Sequence, residues 1–174
     1  MSTTTVLSRP TRARASTWLR AGIVGGVVAG IVFAMFQMIM AAVLDGADAF
    51  FMPLRMIGAI ALGPSALDPS SSLLTAGVAG LLIHMALSMM YGVAVAALLA
   101  YVPALSRSLT STVAVASLAG FVLWVVNFFI LADVFGWTWF PESQDVAVQF
   151  VAHTVMYGSV LGFTIHRLAN DPRL

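Results

Sequence analysis

Four long apolar runs, separated by short polar stretches, dominate the hydropathy pattern of this chain. The runs cover residues 19–44, 73–102, 112–131 and 146–165. Crossing the hydrocarbon core of a bilayer takes about 20 mostly apolar residues in a helix, so each run is long enough to span a membrane. The pattern therefore predicts an all-α, polytopic membrane protein that folds as a four-helix transmembrane bundle.

The polar stretches set the expected domain organisation. We expect residues 1–17 to form a disordered, basic cytoplasmic tail, residues 18–168 to form the transmembrane domain, and residues 169–174 to form a cytoplasmic C-terminal tail. The external loop 45–72 is long, and its apolar part over 53–62 is too short to span a bilayer. A proline at the start of this part and a Gly-Pro pair after it predict a short helix, lying at the membrane interface or re-entering slightly.

Aromatic residues gather just after the third apolar run, in the second external loop. They are Phe135, Trp137, Trp139 and Phe140. Aromatic side chains are enriched at the level of the lipid headgroups, so the cluster is interpreted as an aromatic belt and is assigned no chemistry.

Composition supports the membrane assignment and removes several function classes. The chain is 60% hydrophobic and 9% charged, whereas soluble domains carry roughly 25% charged residues. A net charge of +1 argues against nucleic acid as a partner, because binding it requires a clustered basic face. The absence of cysteine excludes disulfides, iron–sulfur clusters and thiolate metal sites. The expected partners are the lipid bilayer and either a second copy or another membrane protein.

Charge asymmetry predicts the orientation. All eight basic residues are arginines, and seven of them lie before or at the start of the first run, between the second and third runs, or after the last run. Arg55 is the exception, while six of the seven acids lie in the two other loops. Because arginine near span ends favours the cytoplasmic side, we expect both termini in the cytoplasm of a multi-pass protein of the bacterial inner membrane.

Small residues recur four positions apart within each run, and therefore share one helix face. Such faces let neighbouring helices approach closely in lipid. The candidate packing glycines are Gly22, Gly26, Gly30, Gly80, Gly120, Gly158 and Gly162. The three-glycine face of the first run either packs inside the bundle or mediates dimerisation, and packing inside is favoured.

The polar residues inside the runs are the candidates for a functional site. They form a set that we call the polar seam: Gln37, His84, Ser88, Tyr91, Asn127, Gln149, His153 and Tyr157. Residues of the second and fourth runs recur at helical spacing, so two spans present polar stripes. Polar groups that face lipid without partners are costly, so we expect both stripes to face the interior.

Four interpretations of the seam histidines stay open. The favoured one is structural, with neutral imidazoles bonded to amides or carbonyls across helix interfaces. The second is an outward-facing small-molecule cavity or a proton-linked, transporter-like path. The third is a haem held by His84 and His153, and a metal site without any intramembrane carboxylate is weaker still. No acid in the span orients His84 towards Ser88, so we expect no enzyme and no catalytic residue.

The second and fourth runs also suggest that the chain is a tandem repeat of two helical hairpins, since each carries a histidine followed by a Tyr-Gly pair. The His-x-x-x-Tyr-Gly-x-x-x-Gly element formed by His153, Tyr157, Gly158 and Gly162 resembles that of small bacterial four-span proteins of unknown function. The stretch Gly120-Phe121-Val122-Leu123-Trp124 is similar to their third span. This resemblance implies a four-helix membrane fold and no particular activity.

Overall fold

The computed structural model describes residues 12–142 and 145–171, which are helical with short turns between the helices. The helices are α1 (Arg12–Asp45), α2 (Met52–Leu62), α3 (Leu73–Tyr101), α4 (Leu109–Phe135), α5 (Trp139–Glu142) and α6 (Val146–Ala169). Four of them, α1, α3, α4 and α6, are long and apolar enough to cross a membrane. The fold is therefore all-α and has the four spans that the hydropathy pattern predicts.

The helix ends differ from the predicted boundaries mainly at α1. Its first turn starts at Arg12, so residues 12–17, expected in a disordered tail, belong to the helix. Residues 1–11, the rest of that predicted tail, lie outside the described residues, as do 143–144 and 172–174. Ser72, Ser108 and Asp145 each accept a hydrogen bond from a backbone N–H in the first turn of the next span, which sets the starts of α3, α4 and α6.

The four spans pack through many small residues and present many of their large apolar residues outwards. Ala21, Ala29, Ala116 and Ala152 are fully buried. In contrast, the largest exposed side chains along the spans are apolar: Ile31, Ile39, Leu82, Leu118 and Phe129 are each about half exposed or more. Close contact through small residues replaces the hydrophobic driving force that is missing in lipid.

Glycines bring α1 into backbone contact with α3. A Cβ added to Gly22 would lie 2.8 Å from Val93 Cα, and one added to Gly26 would lie 2.8 Å from Met89 Cα. Gly30 faces the side chain of Ser88. The glycine face of α1 therefore packs inside the molecule.

The helix in the first long loop, α2, packs on the first turns of α3. Gly58 and Gly80 face the main chains of Ala76 and Leu54, so the small-residue groove at the start of α3 receives α2 rather than another span. Met56 and Ala59 of α2 are almost completely buried. The helix is thus part of the protein core at this end, which we call the loop end because it carries residues 46–72 and 136–142.

Arg55 ties α2 to the loop that follows it. Its guanidinium is buried and donates hydrogen bonds to the carbonyls of Ala66, Asp68 and Ser71 and to the Ser71 hydroxyl. Hydrogen bonds from the Ser70 hydroxyl and amide hold the pKa of Asp68 below its usual value. The single arginine on this side of the predicted membrane thus organises a loop.

The spans α4 and α6 form a second close pair through three glycines. Gly120 of α4 faces the main chain of α6, and Gly158 and Gly162 of α6 face the main chain of α4. Within this pair, residues Val126–Leu131 of α4 and Ala152–Ser159 of α6 are π-helical. The first pair, α1 and α3, is α-helical throughout. The predicted tandem repeat stays a prediction.

The order of the helices around the bundle differs from the order along the chain. Helix α1 packs against both α3 and α6, and α6 packs against α4. Helices α3 and α4, which are joined by a short turn, hardly touch. A gap is therefore left between them, and this gap holds the candidate site.

Candidate ligand cavity

A cavity of about 280 Å³ lies between the four spans and beneath α2. All eight residues of the polar seam line it: Gln37, His84, Ser88, Tyr91, Asn127, Gln149, His153 and Tyr157. Tyr91 and Asn127 are half-buried and the other six are buried. The polar residues that the sequence scatters over four spans therefore converge on one space.

The two seam histidines each bond a backbone carbonyl with one ring nitrogen. Nε2 of His84 lies 2.8 Å from the Gly30 carbonyl oxygen on α1. Nδ1 of His153 lies 2.9 Å from the Gln149 carbonyl oxygen, one turn earlier in α6. Gly30 therefore has two roles. Its missing side chain lets α3 approach α1 closely, and its carbonyl oxygen accepts the hydrogen bond from His84 of α3.

Phe33 packs against both imidazoles. Its ring is stacked on His84 with centroids 5.3 Å apart and meets His153 edge-on at 4.7 Å. Phe128 approaches His153 at 5.4 Å, also edge-on. The His153 ring is thus held by two aromatic neighbours, and its orientation in the cavity is well defined.

An amide pair closes one side of the cavity. Nε2 of Gln37 donates to Oε1 of Gln149 at 2.6 Å, and Nε2 of Gln149 donates back to Oε1 of Gln37 at 3.1 Å. This reciprocal pair joins α1 to α6. Each amide satisfies the other, as buried polar groups require.

Two tyrosines make further contacts between helices. The hydroxyl of Tyr157 donates to the Ser88 carbonyl at 2.7 Å, which joins α6 to α3. The hydroxyl of Tyr91 donates to Oδ1 of Asn127 at 3.2 Å, which bridges the gap between α3 and α4. These bonds pin the rotation of the helices around the cavity.

The wall at the loop end comes from residues that the sequence analysis did not select. Met56, Ile57 and Ile60 of α2 line the cavity, together with Trp137 and Phe140 from the loop after α4. Trp139 Nε1 donates to the Met56 carbonyl at 3.0 Å, so that loop is fastened to α2. Aromatic residues interpreted as a membrane belt thus help to enclose the site.

Phe33 and Phe128 are the other functional candidates missed from the sequence. A usable signal was present, because Phe33 lies one turn before Gln37 and Phe128 directly follows Asn127. In an apolar span, however, a phenylalanine beside a polar residue does not stand out from its lipid-facing neighbours.

The cavity lining also coincides with both π-helical segments, which contain Asn127, His153 and Tyr157. Such segments are rare and frequently occur at functional sites.

A second recess of about 490 Å³ lies nearer the loop end and shares Gln37, Pro53 and Met56 with the first. Asp45 and Asp145 line this recess. Three shared residues make the two spaces neighbours. The polar seam is therefore separated from the loop end by only a few side chains.

Among the described residues that line the cavity, His84 and His153 carry the groups that could ligate a metal ion or a haem iron. No group of three His, Cys, Asp or Glu side chains that could hold a metal occurs in the described part of the chain. The Gly30 carbonyl occupies Nε2 of His84, the nitrogen that projects farther from the helix. Ligation of iron through Nε2 would require this hydrogen bond to break, so the bond argues against His84 as a haem ligand, and the haem interpretation stays a prediction.

Comparison with known proteins adds no family assignment. No protein-family model, curated protein or solved structure matches the chain. The resemblance to small four-span bacterial proteins stays a prediction, and the geometry of the cavity is the remaining guide to function.

Proposed function

We propose that this protein is an integral membrane protein that binds a small molecule in the cavity between its spans. The observation that carries the proposal is the convergence of all eight polar-seam residues on one cavity. Four separate helices contribute to it, and packing alone would not require their polar side chains to face a common space.

The size and lining of the cavity support binding. Small-molecule sites are largely apolar, with a few placed polar groups, and have volumes of roughly 300–1,000 Å³. This cavity, at about 280 Å³, lies just below that range. It is about twice the volume, roughly 150 Å³, of an apolar cavity known to hold benzene. A ligand of one or two rings matches this space.

Two routes could admit such a ligand. One leads from the recess at the loop end, past Pro53 and Met56. The other leads from the membrane between α3 and α4, where Tyr91 and Asn127 make the bridging hydrogen bond. A small apolar molecule dissolved in lipid would reach the second route directly.

A second candidate function, a structural or accessory bundle, is supported by the hydrogen bonds of the seam. The Gln37 and Gln149 amides bond each other without any ligand. One ring nitrogen of each seam histidine likewise bonds a backbone carbonyl of the protein. In this case the seam fixes helix rotation, and the cavity is a packing defect with no occupant.

Binding of naphthalene distinguishes the two candidates. The protein in lipid nanodiscs is dialysed against radiolabelled naphthalene, with empty nanodiscs measuring the partition into lipid. Leu123→Trp fills the cavity, whereas Leu118→Trp, a lipid-facing residue 62% exposed, is the matched control. Small-molecule binding predicts saturable uptake that Leu123→Trp abolishes and Leu118→Trp preserves. If naphthalene and its hydroxyl and methoxy derivatives all show only the uptake of empty nanodiscs, the result would contradict small-molecule binding and favour the structural bundle.

A further inference from the structure

The hydrogen bonds of the two histidines determine which chemistry they offer to the cavity. A carbonyl oxygen can only accept, so the ring nitrogen facing it must carry the proton. The proton is therefore on Nε2 of His84 and on Nδ1 of His153. In a neutral imidazole the other nitrogen is then an acceptor, here Nδ1 of His84 and Nε2 of His153.

Both acceptor nitrogens border open space. Neither makes a hydrogen bond with the described residues, and both rings are buried. Yet Thr154 Oγ1 is the single enclosed side-chain polar atom without a partner in the described ranges. Nδ1 of His84 and Nε2 of His153 are therefore not enclosed by packed atoms. Both histidines line the cavity, so the cavity is the open space beside these two nitrogens.

The lining also limits the charge of the ligand. The described residues that line it include no aspartate, glutamate, lysine or arginine. A charged molecule would lose its hydration in this space without meeting an opposite charge, at a large cost. An imidazolium would lack a counter-ion for the same reason, which keeps both histidines in the acceptor-bearing form.

Resting on the proposed function, we infer that the cavity selects an uncharged aromatic or alicyclic molecule that carries a hydroxyl or N–H donor. The donor group bonds Nε2 of His153 or Nδ1 of His84, and the ring packs among Phe33, Phe128 and Met56. Phenols and lipophilic alcohols belong to this class. The methyl ether of the same ring has nearly the same shape but no proton to donate.

The test compares 2-naphthol with 2-methoxynaphthalene by equilibrium dialysis of the wild-type protein in nanodiscs. A hydrogen bond to an otherwise unpaired buried acceptor predicts that 2-naphthol binds about tenfold more tightly, after correction for partition into empty nanodiscs. Equal affinities would overturn the inferred ligand class while leaving the proposed function intact. Saturable binding of neither compound, nor of naphthalene, would overturn the proposed function itself.

His153→Phe assigns the preference to its acceptor, because the ring keeps its place between two aromatic neighbours and loses the nitrogen. We expect the variant to bind 2-methoxynaphthalene within about twofold of wild type, which shows that it is folded, and to lose most of the preference for 2-naphthol. His166→Phe, at a histidine outside the cavity lining, is the matched control and keeps the preference. If His153→Phe keeps the tenfold preference, the same comparison with His84→Phe decides the inference. Retention in both variants would refute it.

Discussion

Substitution of Gly26 by alanine tests how closely α1 and α3 must approach. The added Cβ would lie 2.8 Å from Met89 Cα and 2.9 Å from the Ser88 carbonyl carbon, and would contact the Ser88 oxygen as well. All three atoms are backbone, so no side chain can rotate away, and the helices must separate. Overpacking of this kind costs about 1–3 kcal/mol, so we expect the free energy of unfolding to fall by that amount.

Gly77→Ala is the matched control, because it places the same methyl group in the other helix of the pair. The nearest atom to its added Cβ is Leu73 Cδ1 at 3.9 Å, an ordinary contact. Alanine is the better helix former by up to about 1 kcal/mol, so this variant should be neutral or slightly more stable. Both variants are unfolded reversibly in mixed micelles with increasing sodium dodecyl sulfate. A Gly26→Ala protein as stable as Gly77→Ala would refute the close packing of α1 on α3.

Three further perturbations test the walls of the site. Gln37→Leu removes both hydrogen bonds between the Gln37 and Gln149 amides and should lower the unfolding free energy by about 1–3 kcal/mol, whereas the double variant with Gln149→Leu should recover part of the loss. A double-mutant cycle in micelles measures the coupling, and additive effects would contradict the amide pair. Trp139→Phe removes the hydrogen bond to the main chain of α2, so hydrogen exchange of the backbone amides in α2 should become faster. Unchanged exchange rates would show that this bond does not hold the helix in place. Arg55→Lys keeps the positive charge but loses the planar set of donors that bonds the loop carbonyls. Limited proteolysis should therefore cut the loop 66–71 faster than in wild type. Equal cutting rates would contradict the role of the guanidinium in holding this loop.

The seam illustrates which part of the site could be predicted from the sequence. A polar side chain in an apolar span, such as Gln37 or Asn127, must avoid lipid, so its selection as an inward-facing candidate needs no structure. The sequence could not say whether these groups would be packed together or would border open space. That depends on distances between helices, and it is visible only once Tyr91 and Asn127 are seen to bridge a gap.

The wall at the loop end shows where prediction from the sequence was incomplete. Trp137 and Phe140 have the composition and position of a headgroup belt, and nothing local distinguishes that role from lining a cavity. Their role depends on α2, which packs on Gly80 and brings Met56 within reach of Trp139. The π-helical segment around His153 likewise has no recognisable signal in the sequence.

The sequence alone predicted a lipid environment, four membrane-spanning helices and the list of polar residues expected to face inwards, because each prediction follows from the cost of placing polar groups in hydrocarbon. Only the tertiary structure decided that these residues surround a cavity. The physical reason lies in the glycine face of α1, which holds α3 against it, while α6 packs on the same helix and carries α4 with it. Helices α3 and α4 therefore cannot close on each other, and the space left between them is the candidate binding site.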